Sequence, residues 1–225
     1  MIDPKLKQYE YYRTELGVLY CGDCLTIMPM LEQVDLVLTD PPYGLDKKWS
    51  GGTWFTRGVY KSNVSWDKKQ PEAVSFLVSL NVPSIIWGGV HYELPPARCH
   101  LAWVKTNNVP TMADFELAWT NLDRPSKKFD RPCNGWRRTH PTEKPLDLII
   151  WCLDFLPNQG IVIDSFVGSG TTIVACERYG RRWVGIEGDE EKCDMAAKRI
   201  ERERQQLKLF PPKQETPKPK QEALF

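Results

Sequence analysis

The tetrapeptide Asp40-Pro-Pro-Tyr43 carries the residue types that chemistry on an aromatic amine would need. It directly follows the apolar run 34–39, which predicts a buried strand. Two consecutive prolines cannot continue a strand ladder, so the chain is expected to turn away there. Asp40 and the carbonyl of Pro41 can then accept hydrogen bonds from an exocyclic amine on a planar base, and Tyr43 can stack on its ring. We predict that Asp40, Pro41, Pro42 and Tyr43 form the catalytic group.

A glycine-rich segment, Asp164-Ser-Phe-Val-Gly-Ser-Gly-Thr-Thr172, lies between an apolar run at 160–164 and a helical pattern at 170–178. Its backbone amides and its glycines, which have no Cβ, would let a ligand approach closely. It lacks the Gly-Lys-Ser/Thr of a P-loop and the third glycine of the dinucleotide fingerprint. About 20 residues further on, Glu187 ends the next apolar run, where a carboxylate can accept both hydroxyls of a ribose. The pattern predicts a pocket for a nucleotide-type cofactor, with contacts from Asp164, Phe166, Gly168, Ser169, Gly170, Thr171, Thr172 and Glu187.

A third motif, His140-Pro-Thr-Glu-Lys-Pro145, stands between these two. In this combination the three motifs resemble those of S-adenosylmethionine-dependent DNA amino-methyltransferases, over most of the chain from Gly17 to Ile200. The order, with the catalytic motif first and the cofactor motif last, resembles the beta class. The resemblance implies S-adenosylmethionine as the cofactor, Thr142 and Lys144 as contacts to its methionine moiety, and Asp23 near its adenine.

The elements that must position these motifs follow an alternating pattern. Strand patterns at 18–21, 34–39, 82–87, 160–164 and 183–187 are interspersed with helical patterns at 25–31, 144–156, 170–178 and 189–206. This succession predicts an α/β protein with a mostly parallel, twisted sheet. The alternating runs 101–105 and 115–120 predict an antiparallel hairpin at the edge of that sheet. The resemblance implies a Rossmann-like methyltransferase fold with a circularly permuted motif order.

Two segments combine basic and aromatic residues and are expected to lie beyond strand ends. Segment 44–69 has six basic against two acidic residues, and segment 121–144 has seven against three. The chain as a whole has a formal net charge of +1, so a surface for nucleic acid must be local. A base that reaches such a crevice must leave its duplex, and these segments could supply the stacking and phosphate contacts. We therefore predict double-stranded DNA as partner, with insertions at about 44–69 and 121–140 contributing Lys47, Lys48, Trp49, Trp54, Arg57, Lys61, Arg137 and Arg138.

The identity of position 40 bears on which base is methylated. Asp40 favours N6 of adenine, because cytosine-N4 members of the resembled family more often carry Ser there. Cytosine-N4 methylation is the alternative, and so is a non-catalytic DNA-binding protein on the same fold. Methylation of RNA or of a protein amide uses related sites with Asn at this position. Carbon-5 methylation of cytosine needs a Cys nucleophile, but Pro132-Cys133 lies in an Arg-rich loop.

Seven cysteines, an odd number, suit reduced thiols in a cytoplasm better than a disulfide framework. Cys21 and Cys24 form one CxxC without a regularly spaced second pair, so we expect no metal site. No apolar stretch has the length of a signal peptide core or a membrane span. We expect a cytoplasmic protein of bacterial or phage origin that associates with the nucleoid.

The C-terminal residues 211–225 are rich in Pro, Lys and Gln and predict a disordered tail after a catalytic domain at 1–210. Gln206–Phe210 and Gln221–Phe225 resemble the short Gln-x-x-Leu-Phe peptides that dock on the replication sliding clamp. Such peptides bind as extended segments whose Leu and Phe fill an apolar pocket. The sliding clamp is therefore a second predicted partner, and the pattern leaves monomer and homodimer open.

Overall fold

Nine strands in one sheet form the centre of the computed structural model, which describes residues 4–44, 68–107, 113–132 and 143–209. The strands are β1 (Glu10–Arg13), β2 (Gly17–Cys21), β3 (Leu36–Thr39), β4 (Ser84–Trp87), β5 (His100–Val104), β6 (Phe115–Thr120), β7 (Lys127–Asp130), β8 (Ile161–Asp164) and β9 (Arg182–Glu187). The helices are α1 (Cys24–Ile27), α2 (Pro71–Ser79), α3 (Leu146–Leu153), α4 (Thr171–Arg178) and α5 (Glu190–Leu209). Within these described ranges, every helix is too short or too polar to cross a membrane.

The strands are ordered β1-β2-β9-β8-β3-β4-β6-β5-β7 across the sheet. From β2 to β4 all neighbours are parallel. β1 pairs antiparallel with β2, and β6 pairs antiparallel with both β4 and β5. The predicted α/β class with a mostly parallel sheet is thus confirmed.

The hairpin of β5 and β6 forms as predicted, but it does not lie at the edge of the sheet. Lys127–Asp130 pairs parallel with β5 and forms the edge strand β7. The expectation that residues 121–140 lie wholly outside the sheet is therefore wrong for these four residues. Three of them are exposed, so the strand is held by its backbone ladder and leaves no apolar alternation in the sequence.

The two faces of the sheet bury separate apolar layers, because successive strand residues point in opposite directions. In β3, Leu36 and Leu38 pack towards α3, α4 and α5, whereas Val37 packs towards α1 and α2. Helix α2 was not anticipated from the sequence. Pro71 at its first turn and the buried residues Ala73, Val74 and Leu77 show why it forms.

The sheet reverses its winding between β3 and β8. From β3 the chain passes through α2 to β4 on one side, and from β8 it passes through α4 to β9 on the other. The carboxyl ends of β3 and β8 therefore lie side by side at a switch point, where open α/β sheets bind their ligands. Because β6 runs antiparallel to β4, its first residues reach the same edge, as do the last residues of β5.

Helix α5 packs beside the first strands of the chain. Glu201 accepts a hydrogen bond of 2.8 Å from the Tyr12 hydroxyl, and Arg204 pairs with Glu15 at 2.6 Å. The helix continues to Leu209, so residues 206–209 of the first clamp-like peptide are helical rather than extended. The second peptide and the predicted tail lie outside the described residues. Docking on a sliding clamp stays a prediction.

Candidate active site

Asp40 stands directly after β3, and both of its carboxylate oxygens accept hydrogen bonds. The Tyr43 hydroxyl donates to Oδ1 at 2.7 Å, and the Lys144 ammonium donates to Oδ2 at 2.6 Å. Pro41 is buried beneath them, and the carbonyl of Pro42 accepts a hydrogen bond from the Tyr92 hydroxyl. The predicted catalytic tetrapeptide is therefore a constrained turn with a fixed carboxylate.

The ring of Tyr43 is held by a glycine that sequence reasoning did not assign to the site. A Cβ on Gly88, the residue after β4, would lie 1.9 Å from Cε1 of Tyr43. Gly88 also has φ +65°, a conformation that favours glycine. His91 stacks on the Tyr43 ring with 4.8 Å between centroids and 27° between planes. The Gly88-Gly89 pair after an apolar strand was the sequence signal for this close approach.

Lys144 is 6% exposed, and its ammonium lies among three acceptors. These are Asp40 at 2.6 Å, the Tyr43 hydroxyl at 3.0 Å and Glu116 Oε2 at 3.2 Å. Glu116 also pairs through Oε1 with Lys105 at 2.8 Å. The resemblance implied that Lys144 contacts the methionine moiety, whereas here its ammonium contacts Asp40, Tyr43 and Glu116.

Burial and charge act in opposite directions on this cluster. Burial alone would lower the pKa of Lys144, but the charges of Asp40 and Glu116 hold it well above its usual range. Burial alone would raise the pKa of Glu116, and the two ammonium groups lower it to about 2. Burial and the charge of Asp40 raise the pKa of Tyr43 well above 10. At neutral pH the lysine is thus cationic, the glutamate anionic and the tyrosine a hydrogen-bond donor.

The glycine-rich loop follows β8, beside the catalytic turn. Gly168 and Gly170 have φ of +54° and +89°, which explains the two glycines. The amide of Gly168 donates to Glu187 Oε2 at 2.7 Å, and the amide of Asp189 donates to Oε1 at 3.1 Å. Glu187, at the end of β9, is thus joined to the loop by hydrogen bonds. Its predicted contact with a ribose stays a prediction.

Asp164 is buried and contacts its neighbours inside the protein. Its Oδ1 accepts from the Thr39 hydroxyl at 2.7 Å and from the Phe166 amide at 3.0 Å. Burial raises the pKa of Asp164 to about 6, although hydrogen bonds from Thr39 and Thr172 lower it. Thr171 and Thr172 are also buried in the first turn of α4. The buried side chains of Asp164, Thr171 and Thr172 therefore support the glycine-rich loop from inside the protein.

Arg199 on α5 ties the loop to the segment that carries Lys144, and sequence reasoning did not identify it. Its guanidinium donates to the carbonyl of Ser169 at 2.6 Å and to the Ser169 hydroxyl at 2.8 Å. It also pairs at 2.8 Å with Glu143, the residue before Lys144. One cation therefore bridges the glycine-rich loop and the approach to the catalytic group.

Asp23 caps α1 at the carboxyl end of β2. Its carboxylate accepts from the backbone amides of Leu25 and Thr26 and from the Thr26 hydroxyl. Nearby, burial and the charge of Asp23 raise the pKa of Cys24 to about 11, so this thiol is protonated at neutral pH.

In the ranges that the structure describes, no three His, Cys, Asp or Glu side chains are grouped as metal ligands.

Several predicted site residues lie outside the described residues. They are the cofactor contact Thr142 and all the proposed DNA contacts, Lys47, Lys48, Trp49, Trp54, Arg57, Lys61, Arg137 and Arg138.

Comparisons with known proteins identify the family to which this chain belongs. Residues 81–198, just over half of the chain, match the family model for N6/N4 methyltransferases, described as DNA methylase. The type II methyltransferase M2.DpnII of Streptococcus pneumoniae is 41% identical over 86% of this chain and 92% of its own length. The chain therefore belongs to the N6/N4 DNA methylase family, and the family resemblance of its motifs is confirmed. It is a DNA methyltransferase of this class, with S-adenosylmethionine as its cofactor.

Two solved structures share the fold. The M1.HpyAVI–SAM complex has a TM-score of 0.55 at 23% identity, covering 81% of this chain and 99% of that one. The cytosine-N4-specific PvuII DNA methyltransferase has a TM-score of 0.57 at 18% identity, covering 85% and 89%. Both likenesses confirm the Rossmann-like architecture. The circular permutation of the motif order stays a prediction.

The edge formed by β8 and β9 has two features that fit a bound S-adenosylmethionine. The hydroxyl of Ser165 is buried and has no hydrogen-bond partner within the described part of the chain. A Cβ on Gly168 would come no closer than 4.0 Å to other atoms, so the front of the loop is open. An unpaired buried hydroxyl and an open glycine turn are features that a ligand can complete.

Proposed function

We propose that this protein transfers a methyl group from S-adenosylmethionine to N6 of an adenine flipped out of duplex DNA. The observation that carries the proposal is the position of Asp40. Its carboxylate stands at the end of β3, and the glycine-rich loop begins at the end of the neighbouring strand β8. An acceptor for an aromatic amine and a cofactor loop thus share one crevice.

The cofactor is assigned to the loop side of this crevice. When bound, S-adenosylmethionine supplies an electrophilic methyl group on its sulfonium. Glu187 accepts the ribose hydroxyls, because a carboxylate with two oxygens suits two neighbouring donors. Gly168 lets the chain approach the cofactor closely, and Arg199 keeps Ser169 in place. Ser165 gains the partner that it lacks among the described residues.

The target base is assigned to the side of Asp40. An aromatic amine is a poor nucleophile because its lone pair is delocalised into the ring. Hydrogen bonds from its two N–H groups to Asp40 and to the Pro41 carbonyl favour a tetrahedral nitrogen and direct the lone pair at the methyl group. Tyr43 offers an aromatic surface for the base. Extrusion of the base costs on the order of a few kcal/mol, which stacking and phosphate contacts offset.

The choice of adenine over cytosine rests on the chemistry of position 40. Both bases present an exocyclic amine, so the same pair of acceptors could serve either. The carboxylate of Asp40 is a stronger acceptor than the Ser hydroxyl that cytosine-N4 enzymes more often carry. Cytosine-N4 methylation is the second candidate, because the PvuII enzyme, which shares the fold, is cytosine-N4-specific.

DNA contacts are assigned to the basic segments 44–69 and 121–140. Lys69, at the end of segment 44–69, supports this assignment. It lies at the turn that follows Asp40 and donates to the carbonyl of His91 at 2.6 Å. Reversing the charges of Lys47 and Lys48, or of Arg137 and Arg138, should weaken DNA binding and reduce its salt dependence. An unchanged salt slope in both variants would place the DNA elsewhere.

The experiment that tests the function is methylation of duplex DNA with methyl-labelled S-adenosylmethionine, followed by nucleoside mass spectrometry. N6-methyl-2′-deoxyadenosine is the expected product. Asp40→Ala should abolish transfer while calorimetry finds cofactor affinity within about threefold of wild type. N4-methylcytosine as the labelled product would overturn the choice of base. Cofactor binding without any DNA methylation would overturn the catalytic assignment.

A further inference from the structure

Four side chains of alternating charge lead from the β5–β6 hairpin to the catalytic carboxylate. Lys105 pairs with Glu116 at 2.8 Å, Glu116 with Lys144 at 3.2 Å, and Lys144 with Asp40 at 2.6 Å. We propose that Glu116, together with Lys105, is a positioning residue for methyl transfer, acting on Asp40 and Tyr43 through Lys144. This inference rests on the proposed role of Asp40 as acceptor of the target amine.

The topology explains why a hairpin reaches this site. Glu116 is the second residue of β6, which runs antiparallel to β4, so it lies at the carboxyl edge of the parallel strands. Lys105 directly follows β5, and its amide donates to the carbonyl of Asp114 at 2.8 Å. The backbone hydrogen bonds of the hairpin therefore place Glu116 and Lys105 at the edge of the sheet where Asp40 lies.

The donors and acceptors around Lys144 match in number. An ammonium has three N–H donors. Asp40, the Tyr43 hydroxyl and Glu116 are three acceptors within 3.2 Å of it. The Lys144 side chain is 5% exposed, so water is a poor substitute for any of them. Replacing the Glu116 carboxylate by a neutral amide would weaken the attraction to Lys144 and set an NH₂ donor against one of the two ammonium groups, so that the Lys144 ammonium can turn away from Asp40 and Tyr43.

The arrangement leaves Asp40 able to take the target amine. Each oxygen of a carboxylate can accept about two hydrogen bonds. Oδ1 accepts one hydrogen bond from Tyr43, and Oδ2 accepts one from Lys144. Together these bonds fix the χ2 torsion of Asp40, which otherwise takes a broad range of values. Small displacements of a catalytic group carry large losses in rate, so the orientation of this carboxylate should matter more for turnover than for binding.

The test compares the full-length protein with Glu116→Gln and, as control, Glu203→Gln. Glu203 is a buried carboxylate that pairs with Arg178 on α4 at 2.6 Å, whereas the Glu116 side chain is 24% exposed. We expect Glu116→Gln to lower kcat about 10- to 100-fold, with KM for DNA and cofactor affinity within about threefold. Glu203→Gln should lower resistance to urea and leave kcat near wild type. Lys105→Met, which keeps Glu116 in place, should lower kcat in the same direction and by less.

A double-mutant cycle separates positioning through Lys144 from general damage. If Glu116 acts through Lys144, then Glu116→Gln should add no further loss of kcat to Lys144→Met. Losses that multiply in the double variant would overturn the inference. So would a normal kcat in Glu116→Gln while Asp40→Ala is inactive, and in that case the proposed function stands. Failure of the wild-type protein to methylate DNA would instead remove both.

Discussion

The hydroxyl of Thr39 donates a 2.7 Å hydrogen bond to Oδ1 of Asp164, joining the last residue of β3 to the last residue of β8. The catalytic turn starts after Thr39, and the glycine-rich loop starts after Asp164. Both residues are buried, at 1% and 3% exposure. This bond therefore links the two halves of the candidate site inside the protein.

Replacing Thr39 tests the contribution of this bond to stability. Thr39→Val keeps the shape of the side chain but removes the donor to a buried carboxylate, so the free energy of unfolding should fall by about 1.5–3 kcal/mol. Thr39→Ser retains the hydroxyl and should cost less. Urea unfolding of both variants at pH 7 measures the difference. A Thr39→Val variant as stable as wild type would show that the hydroxyl contributes nothing.

The close approach of Gly88 to Tyr43 predicts a selective loss of activity in Gly88→Ala. The new Cβ would lie 1.9 Å from Cε1 of Tyr43, so the ring must move away from its position beside Asp40. Methylation should fall by about tenfold or more. Gly180→Ala is the matched control, because Gly180 has nearly the same φ, +63°, but nothing within 4 Å of a Cβ.

Both glycine variants should lose about 1–2 kcal/mol of stability from the left-handed backbone conformation. Only Gly88→Ala should also lose methylation activity at a temperature where both variants are folded. Comparable activity in the two variants would mean that the position of the Tyr43 ring is not critical.

Arg199 should support cofactor binding through the loop that it holds. Arg199→Met removes the hydrogen bonds to Ser169 and the ion pair with Glu143, so the affinity for S-adenosylmethionine should fall about tenfold. Calorimetric titration measures this directly. Arg202→Met, at an exposed position on the same helix, should bind as wild type does. Unchanged affinity in Arg199→Met would show that the glycine-rich loop keeps its conformation without the contacts of Arg199.

The raised pKa of Asp164 predicts how stability depends on pH. Burial raises this pKa from 3.8 to about 6, so between these values the folded protein binds the proton more readily than the unfolded chain. This carboxyl therefore destabilises the fold progressively as pH rises from about 4 to about 6, by roughly 3 kcal/mol in total. Asp164→Asn cannot titrate, so its stability relative to wild type should increase over that interval. Urea titrations at pH 4.5, 5.5 and 7 follow the difference, and a constant difference would contradict the raised pKa.

Much of the site could be predicted because its residues follow strands with strong apolar patterns. Val37 and Ile163 are fully buried in neighbouring strands, and the polar residues after each strand share one edge for that reason. The spacing from the glycine-rich segment to Glu187 likewise predicted that both lie at one pocket, and the hydrogen bond of 2.7 Å from the Gly168 amide to Glu187 shows that they are adjacent.

The contacts that were not predicted join residues that are distant in the sequence and that follow no local sequence pattern. Glu116 lies in an alternating strand, where a charged residue is normally assigned to the solvent side. Its ion pairs with Lys105 and Lys144 form only in the folded protein, which brings these three residues together. Arg199 lies on a helix with many charges, so nothing in its own segment distinguishes it from neighbours that face water.

The pairing of β3 with β8 makes the order of the motifs along the chain irrelevant to the geometry of the site. The two strands are more than 120 residues apart in sequence, yet each places its loop at the same edge. The first strand, β1, also contacts the last helix, α5, through Tyr12 and Glu201. A gene rearranged to join α5 to β1, and opened between β7 and α3, would encode the cofactor loop first and retain every strand pairing. Duplication and trimming of such a gene could therefore exchange the two motif orders while preserving the crevice between β3 and β8.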